Sequence, residues 1–419
     1  MKVDILIVGA GPAGMAAALA AAPSGARIAV LDDNPAAGGQ IWRDGPQAHL
    51  PRAARGYRQR IAVQTNIEML PGTRVIAQAG THSLLVEDAQ QGMVIHYQKL
   101  ILCTGARELL LPFPGWTLPG VTGAGGLQAL IKGGLAVRGE RLVVAGSGPL
   151  LLASAATARD NGARVLRIAE QASWPKVAGF TAQLPRWPHK LLQAFTLAHP
   201  GYRPASHVLA ALGSERLEAV RLQQGGKTLE IPCKRLACGF GLIPNIQLGQ
   251  ALGCRIENQA IAVDAEQTSS QPDILAAGEC TGFGGSELAL VEGAIAGHIA
   301  AGERDAARRL WSQRRRWQAF ANALRTTFAL QPALSQLAAP DTPVCRCEDV
   351  PYANLSGHAD WTSAKQSQRC GMGACQGRIC GAATQQLFGW QPPAPRPPFS
   401  PARIETLLQL DQTLASQQR

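Results

Sequence analysis

The sequence predicts an α/β chain built from two Rossmann-type β-α-β domains, followed by a small helical C-terminal domain rich in cysteine. Three observations carry that prediction. The turns Gly9-Ala10-Gly11-Pro12-Ala13-Gly14 and Gly146-Ser147-Gly148-Pro149-Leu150-Leu151 each follow an apolar run and precede an alanine-bearing one. Of 419 residues 45 are Gly, and 46% are hydrophobic against 16% charged, so helices can lie close on strands around a large core. Five of the ten cysteines fall between Cys345 and Cys380, far from an even distribution.

Taken in order, Lys2 to Val8 reads as a strand, and the first turn leads into an Ala-rich helix that Pro23-Ser24-Gly25 stops. Arg27 to Leu31 then reads as a second strand closed by Asp32-Asp33. Gly9 permits the tight turn, Gly11 lets the backbone approach a pyrophosphate, and Gly14 lets helix and strand pack. The helix N-terminus, with Pro12 and Ala13 in its first turn, faces the phosphates. Asp32 stands where a ribose hydroxyl would be bound, with Asp33 beside it. Strand, glycines, helix, strand and acid together predict dinucleotide binding. The run from Ile5 to Ala22 holds no charge, but its glycines and proline argue against a membrane span. With no signal peptide ahead of it, the chain reads as cytoplasmic.

Two later segments repeat the pattern of strand and glycine turn. Lys99 to Cys103 runs into Thr104-Gly105, and Asp273 to Ala277 runs into Gly278-Glu279, then Gly284-Gly285-Ser286 and a helix to about Ala300. With Gly38-Gly39-Gln40 after the second strand, they resemble the FAD domain of the glutathione-reductase-like flavoproteins. The resemblance covers residues 1–115 and 235–305. It implies FAD held by Gly9, Gly11, Pro12, Ala13, Gly14, Asp32, Asp33, Gly39, Gln40, Thr104, Gly105, Gly278 and Glu279. In that family the Thr-Gly turn lies near the adenylate and the late Gly-acid pair holds the ribityl chain, and Glu279 stands where Asp is usual. Residues 116–234 match the position of the NAD(P)H domain, with a strand from Arg141, the second glycine turn, and a strand ending at Glu170. Leu151 replaces the third glycine and is expected to push the helix off the strand, and Ala153 replaces a usual acid. NAD(P)H, an adenine nucleotide held without redox work, and an empty relic all stay open for this site. The redox dithiol of the disulfide reductases is missing from its usual places, and Cys233 and Cys238 read as core.

After Glu303 the chain reads as helical and basic, with Arg308, Arg309, Arg314, Arg315 and Arg316 on a solvated or docking face. Cys345-Arg346-Cys347 follows, then Cys370-Gly371-Met372-Gly373-Ala374-Cys375-Gln376-Gly377-Arg378-Ile379-Cys380. Thiolates at this density in a reducing compartment indicate zinc or a [2Fe-2S] cluster. The pattern resembles the bacterioferritin-associated-ferredoxin type of [2Fe-2S] domain. In similar chains the place of Cys370 is often not cysteine, which implies Cys345, Cys347, Cys375 and Cys380 as ligands with Cys370 in reserve. CRCE and GMGACQGRIC behind an FAD domain, with Pro114-Gly115-Trp116-Thr117-Leu118-Pro119-Gly120-Val121, resemble the α-type subunits of multi-subunit imino- and amino-acid dehydrogenases. That group includes the D-hydroxyproline dehydrogenase α subunit, the hydrogen cyanide synthase B subunit, plus the larger flavin subunits of the opine oxidases.

This resemblance spans nearly the whole chain. It implies a protein that relays electrons from a D-amino-acid-oxidase-like flavin subunit, together with a small ferredoxin-like subunit, and D-hydroxyproline as first choice of substrate. An NAD(P)H-dependent ferredoxin-type reductase and a non-catalytic zinc and nucleotide scaffold are the alternatives. No catalytic residue stands out, because the eight His are scattered. With 5% aromatic residues the net charge of +11 fits anionic cofactors, an acidic partner or the face of a membrane better than nucleic acid. Gln171 to Pro204 reads as an irregular docking surface. Residues 306–391 read as helical linker and cluster domain, and 392–419 as a Pro-rich strap with a terminal helix from Ala402 to Leu414.

Overall fold

Alanine and glycine decide how closely the first helix is held. In the computed structural model, which describes residues 1–417, helix Pro12–Ala21 is almost wholly buried beside helix Ser286–Ala300. A Cβ on Gly293 or Gly297 would stand 2.1 or 2.2 Å from the carbonyl oxygens of Ala13 and Ala17. Those two glycines, one turn apart, let the helices meet backbone to backbone. Both helices lie with a parallel five-stranded sheet in the order Ile274–Ala276, Lys99–Leu102, Ile5–Val8, Ile28–Asp32, Ile67–Pro71. Its strands read as short continuous apolar runs because both faces are covered. An antiparallel sheet of Arg74–Gly80, Ser83–Glu87 and Gly92–His96 completes this half, with helix Ile404–Gln417 packed against it. Glu87 fixes that helix by accepting from Thr406 Oγ1 at 2.5 Å and from the Arg403 N–H at 2.9 Å.

The second half repeats the plan. Its parallel sheet runs Tyr202–Arg203, Arg164–Glu170, Arg141–Gly146, Arg235–Gly239, Val121–Gly123. Its antiparallel sheet is Ser206–Leu212, Ala219–Gln224, Lys227–Pro232. The chain divides into two units, residues 1–107 with 244–322 and 394–419, and residues 108–243 with 323–393. The cysteine segment therefore belongs with the second nucleotide fold, where Leu334, Ile379 and Ala382 join the core around Phe113, Val143 and Phe240, and the terminal helix belongs with the first.

Three expectations change. Leu151 does not displace its helix: it is fully buried, with Cδ2 3.2 Å from where a Cβ on Gly239 would be, so a glycine on the facing strand makes its room. The segment expected to be irregular forms helices Trp174–Gln183 and Pro188–Leu197. The basic stretch forms helices Arg304–Arg309 and Trp311–Thr327, but Arg314 is not on a solvated face, being 13% exposed and 3.7 Å from buried Glu292.

Candidate functional site

The first glycine turn is shaped by contacts that side chains would block. A Cβ on Gly9 would stand 2.2 Å from the Cys103 carbonyl oxygen, and one on Gly14 1.8 Å from the Gly9 carbonyl oxygen. Gly11 differs. Its φ of −72° and ψ of −174° suit any residue, and a Cβ there would meet only Gly39 Cα, at 3.9 Å. The chain itself has no need of glycine at this position, so the space belongs to a ligand. Pro12 opens the helix without an N–H, Gly11 offers no side-chain cap, and the first-turn amides of Ala13 and Gly14 face the same space with the positive end of the helix dipole.

Asp32 departs from its expected role. It is buried, with Oδ2 accepting from the Ala10 N–H at 2.6 Å and Oδ1 from the Asn34 backbone and side-chain amides at 2.8 and 2.7 Å. Its carboxylate ties the glycine turn to the second strand. Asp33, next along the strand, turns to the opposite face and is exposed. Gly39 lies against Gly11, and Gln40 is exposed, accepting from Arg43 at 2.8 Å. The Thr104-Gly105 turn is clipped by Asn245. Thr104 Oγ1 donates to the Asn245 carbonyl at 2.6 Å, and Asn245 Nδ2 donates to the Thr104 carbonyl at 2.9 Å. Nothing in the spacing pointed to Asn245, since 141 residues separate it from its partner.

At the late turn, Gly278 has φ +79°, and a Cβ would stand 2.7 Å from Ala13 Cβ. Glu279 follows it. Among the described residues its carboxylate has no polar partner, and burial pushes its pKa up. Behind this turn Glu292 Oε2 accepts from the Gly278 N–H at 3.3 Å and the Thr281 hydroxyl at 3.4 Å. Burial pushes Glu292 up to about 7 against the pull of Arg314. The sequence reading missed this pair because its members lie on different helices.

The cysteines form one constellation. Cys345, Cys370 and Cys380 are buried, with their sulfur atoms within 4.8 Å of one another. The Cys370 and Cys380 thiols and the backbone N–H groups of Gly371 and Glu348 donate to Cys345 and hold it far below the usual thiol range. Cys347, exposed, pairs with half-buried Cys375 and also accepts from the Cys375 N–H. Gly373 lets these loops meet, since a Cβ there would stand 2.2 Å from Cys347 Cβ. Trp361 packs under Gly371 and Gly377. Trp116 seats the Cys345-Arg346-Cys347 loop, donating from Nε1 to the Pro343 carbonyl at 2.7 Å with the Arg346 guanidinium 5.1 Å above its ring. All ten cysteines are free, and Cys103, Cys233, Cys238, Cys254 and Cys280 are buried singly among apolar residues.

The pattern that defines the pyridine nucleotide-disulphide oxidoreductase family matches residues 3–301. The chain belongs to that family. It is 32% identical to the larger, A-type subunit of opine oxidase from Agrobacterium tumefaciens (strain Ach5), over 92% of this chain and 85% of that one. It is 30% identical to hydrogen cyanide synthase subunit HcnB of Pseudomonas protegens, over 99% of each. In fold it is similar to L-proline dehydrogenase from P. horikoshii, with a TM-score of 0.65 at 18% identity over 97% of this chain and 79% of that one. Family membership implies FAD. The residues present fit it: the space above Gly11, the uncapped first helix and the unpartnered Glu279 are what a dinucleotide with a ribityl chain would complete. Among the described residues no helix is long and apolar enough to cross a membrane.

Proposed function

We propose that this chain is the FAD- and iron–sulfur-containing subunit of a hetero-oligomeric dehydrogenase oxidising an imino or amino acid, D-hydroxyproline as first choice, and that it passes electrons from a partner flavin subunit to an acceptor. The observation that carries this reading is the convergence of five free thiols on the C-terminal segment of a flavoprotein fold. Gly9, Gly11, Pro12, Ala13, Gly14, Gly39, Gln40, Thr104, Gly105 and Gly278 would line the FAD. Asp33, the outward acid, would take the ribose in place of Asp32, and Glu279 the ribityl chain. Cys345 and Cys380 would hold one iron and Cys347 and Cys375 the other, with Cys370 flanking the first pair. When bound, FAD takes up two electrons and a [2Fe-2S] cluster passes them singly, a pairing that suits a relay.

The chain's own groups prepare both places. The amides of Gly371, Glu348 and Cys375 donate toward thiolate sulfur, which stabilises added negative charge there and raises a cluster's potential. The names of the opine oxidase and hydrogen cyanide synthase relatives describe subunits, which supports a D-amino-acid-oxidase-like flavin partner and a small ferredoxin-like subunit. We place the assembly in the cytoplasm, with any membrane contact peripheral. A specific observation favours zinc as a second reading, since three buried thiols in mutual contact suit a single tetrahedral ion. Iron and zinc analysis with visible absorption and EPR of the full chain, before and after dithionite, separates them. A flavin spectrum with a rhombic [2Fe-2S] signal and about two irons per chain supports the relay. Flavin with zinc and no iron refutes it.

A further inference from the structure

The second glycine turn is covered where the first is open. Gly146, Ser147 and Gly148 are all buried, whereas Gly9 and Gly11 are partly exposed. The cover is the chain's own segment 328–331, which follows helix Trp311–Thr327. Ser147 Oγ donates to the Phe328 carbonyl at 2.8 Å and Gln171 Nε2 to the Ala329 carbonyl at 3.1 Å. Gln331 donates through its backbone N–H to Gln171 Oε1 at 3.0 Å and through Nε2 to the Gln171 carbonyl at 2.6 Å. The Phe328 ring lies 3.7 Å from where a Cβ on Gly148 would be and meets Phe180 edge-on at 5.3 Å. Leu330 packs into the core.

In a dinucleotide fold the turn amides hold the pyrophosphate, and the polar residue ending the second strand holds the ribose. Here these groups are satisfied internally. Gly148 N–H donates to Glu170 Oε2 at 2.7 Å and Ala172 N–H to Glu170 Oε1 at 2.8 Å, with Glu170 fully buried. Gln171, next along the strand, is spent on segment 328–331. The first site has its inward acid too, in Asp32, but it keeps Asp33 exposed and Glu279 unpartnered. The second site keeps no such group.

We infer that the second nucleotide fold is closed by its own chain: residues 328–331 stand in the place of an adenine nucleotide, so NAD(P)H neither binds there nor supplies electrons to the first site. The reaction that feeds this chain is then the oxidation of an organic donor on another subunit, or a reduced protein carrier, and not nicotinamide hydride transfer. The fold instead serves as the bed of the cysteine segment, which begins where the strap ends. The binding claim stands apart from the proposed function; the statement about the electron source rests on it.

Equilibrium dialysis of the full chain, saturated with FAD, against NADH, NADPH and ATP at about 1 mM, the upper end of usual KM values, tests this. An anaerobic NADH titration followed at the flavin band accompanies it. Wild type is expected to retain no nucleotide and to stay oxidised. Phe328→Gly combined with Gln331→Ala is expected to gain at least tenfold in affinity for an adenine nucleotide with FAD content unchanged. Stoichiometric binding by wild type, or bleaching by NADH, would overturn the proposal. So would an opened variant with full FAD content and no gain in binding, because something other than the strap would then exclude the nucleotide. If the variant does not fold, dialysis of wild type decides. A chain that takes up no FAD shows that failure in its absorption spectrum, while dialysis still reports the second site.

Discussion

Gly11 and Gly14 sit three residues apart and do different work. Gly14 touches its own chain, and Gly14→Ala is expected to lower stability by at least ~1–3 kcal/mol through overpacking. Gly11 touches little of it. Gly11→Ala should therefore leave the melting temperature within about 2 °C while weakening FAD retention tenfold or more, about 1.4 kcal/mol; equal FAD content in the two proteins would refute the site. Glu292 sets a pH dependence. Its folded pKa of about 7 lies above the ordinary 4.5, so the folded state binds more protons than the unfolded one between those values. Its stabilisation is full below pH ~4.5 and is lost as pH rises through about 7. Arg314, Thr281, Cys103 and Cys280 face it, and none of them replaces its titration in that window. Glu292→Gln should flatten the stability curve there by on the order of 3 kcal/mol, read from thermal melts between pH 4.5 and 8. Identical slopes for both proteins would contradict the assignment. The register at Asp32 was not legible, because neighbouring strand residues point to opposite faces and both are aspartate.

Among the elements, those fixed by contacts close in sequence were legible. The turn at Gly9-Gly11-Gly14 follows from clashes among residues a few positions apart, and the cysteine spacing is itself the signal. Elements joined over long separations were not. Asn245 on the Thr104 turn, the Glu292–Arg314 pair and the strap 328–331 meet only after folding, and no periodicity records them. Leu151 shows the same limit, since its room is made by Gly239 on another strand. Within the cysteine segment, sequence left five thiols for four places, and the structure sorts them into a buried trio and an outer pair. Cys375→Ser should abolish the cluster signal and leave FAD bound, whereas Cys370→Ser should keep at least most of both, by iron analysis and EPR. Loss of the cluster in the Cys370 variant with retention in the Cys375 variant would exchange their roles.

Across the whole molecule one architecture occurs twice and has been put to two uses. The first copy keeps an open glycine turn with an exposed Asp33 and an unpartnered Glu279, as a cofactor site needs. The second has its turn filled by its own chain and carries the thiol segment in its core. A chain with one open nucleotide site, a thiol centre and no identifiable acid–base set for a substrate is arranged to transmit electrons. The most direct test is anaerobic addition of D-hydroxyproline to the chain alone and to the chain purified with its partner flavin subunit, followed by absorption and EPR. The account predicts no reduction of the isolated chain, with bleaching of flavin and appearance of the reduced [2Fe-2S] signal in the complex. Reduction of the isolated chain by substrate, or a complex whose flavin bleaches while iron stays oxidised, would contradict it.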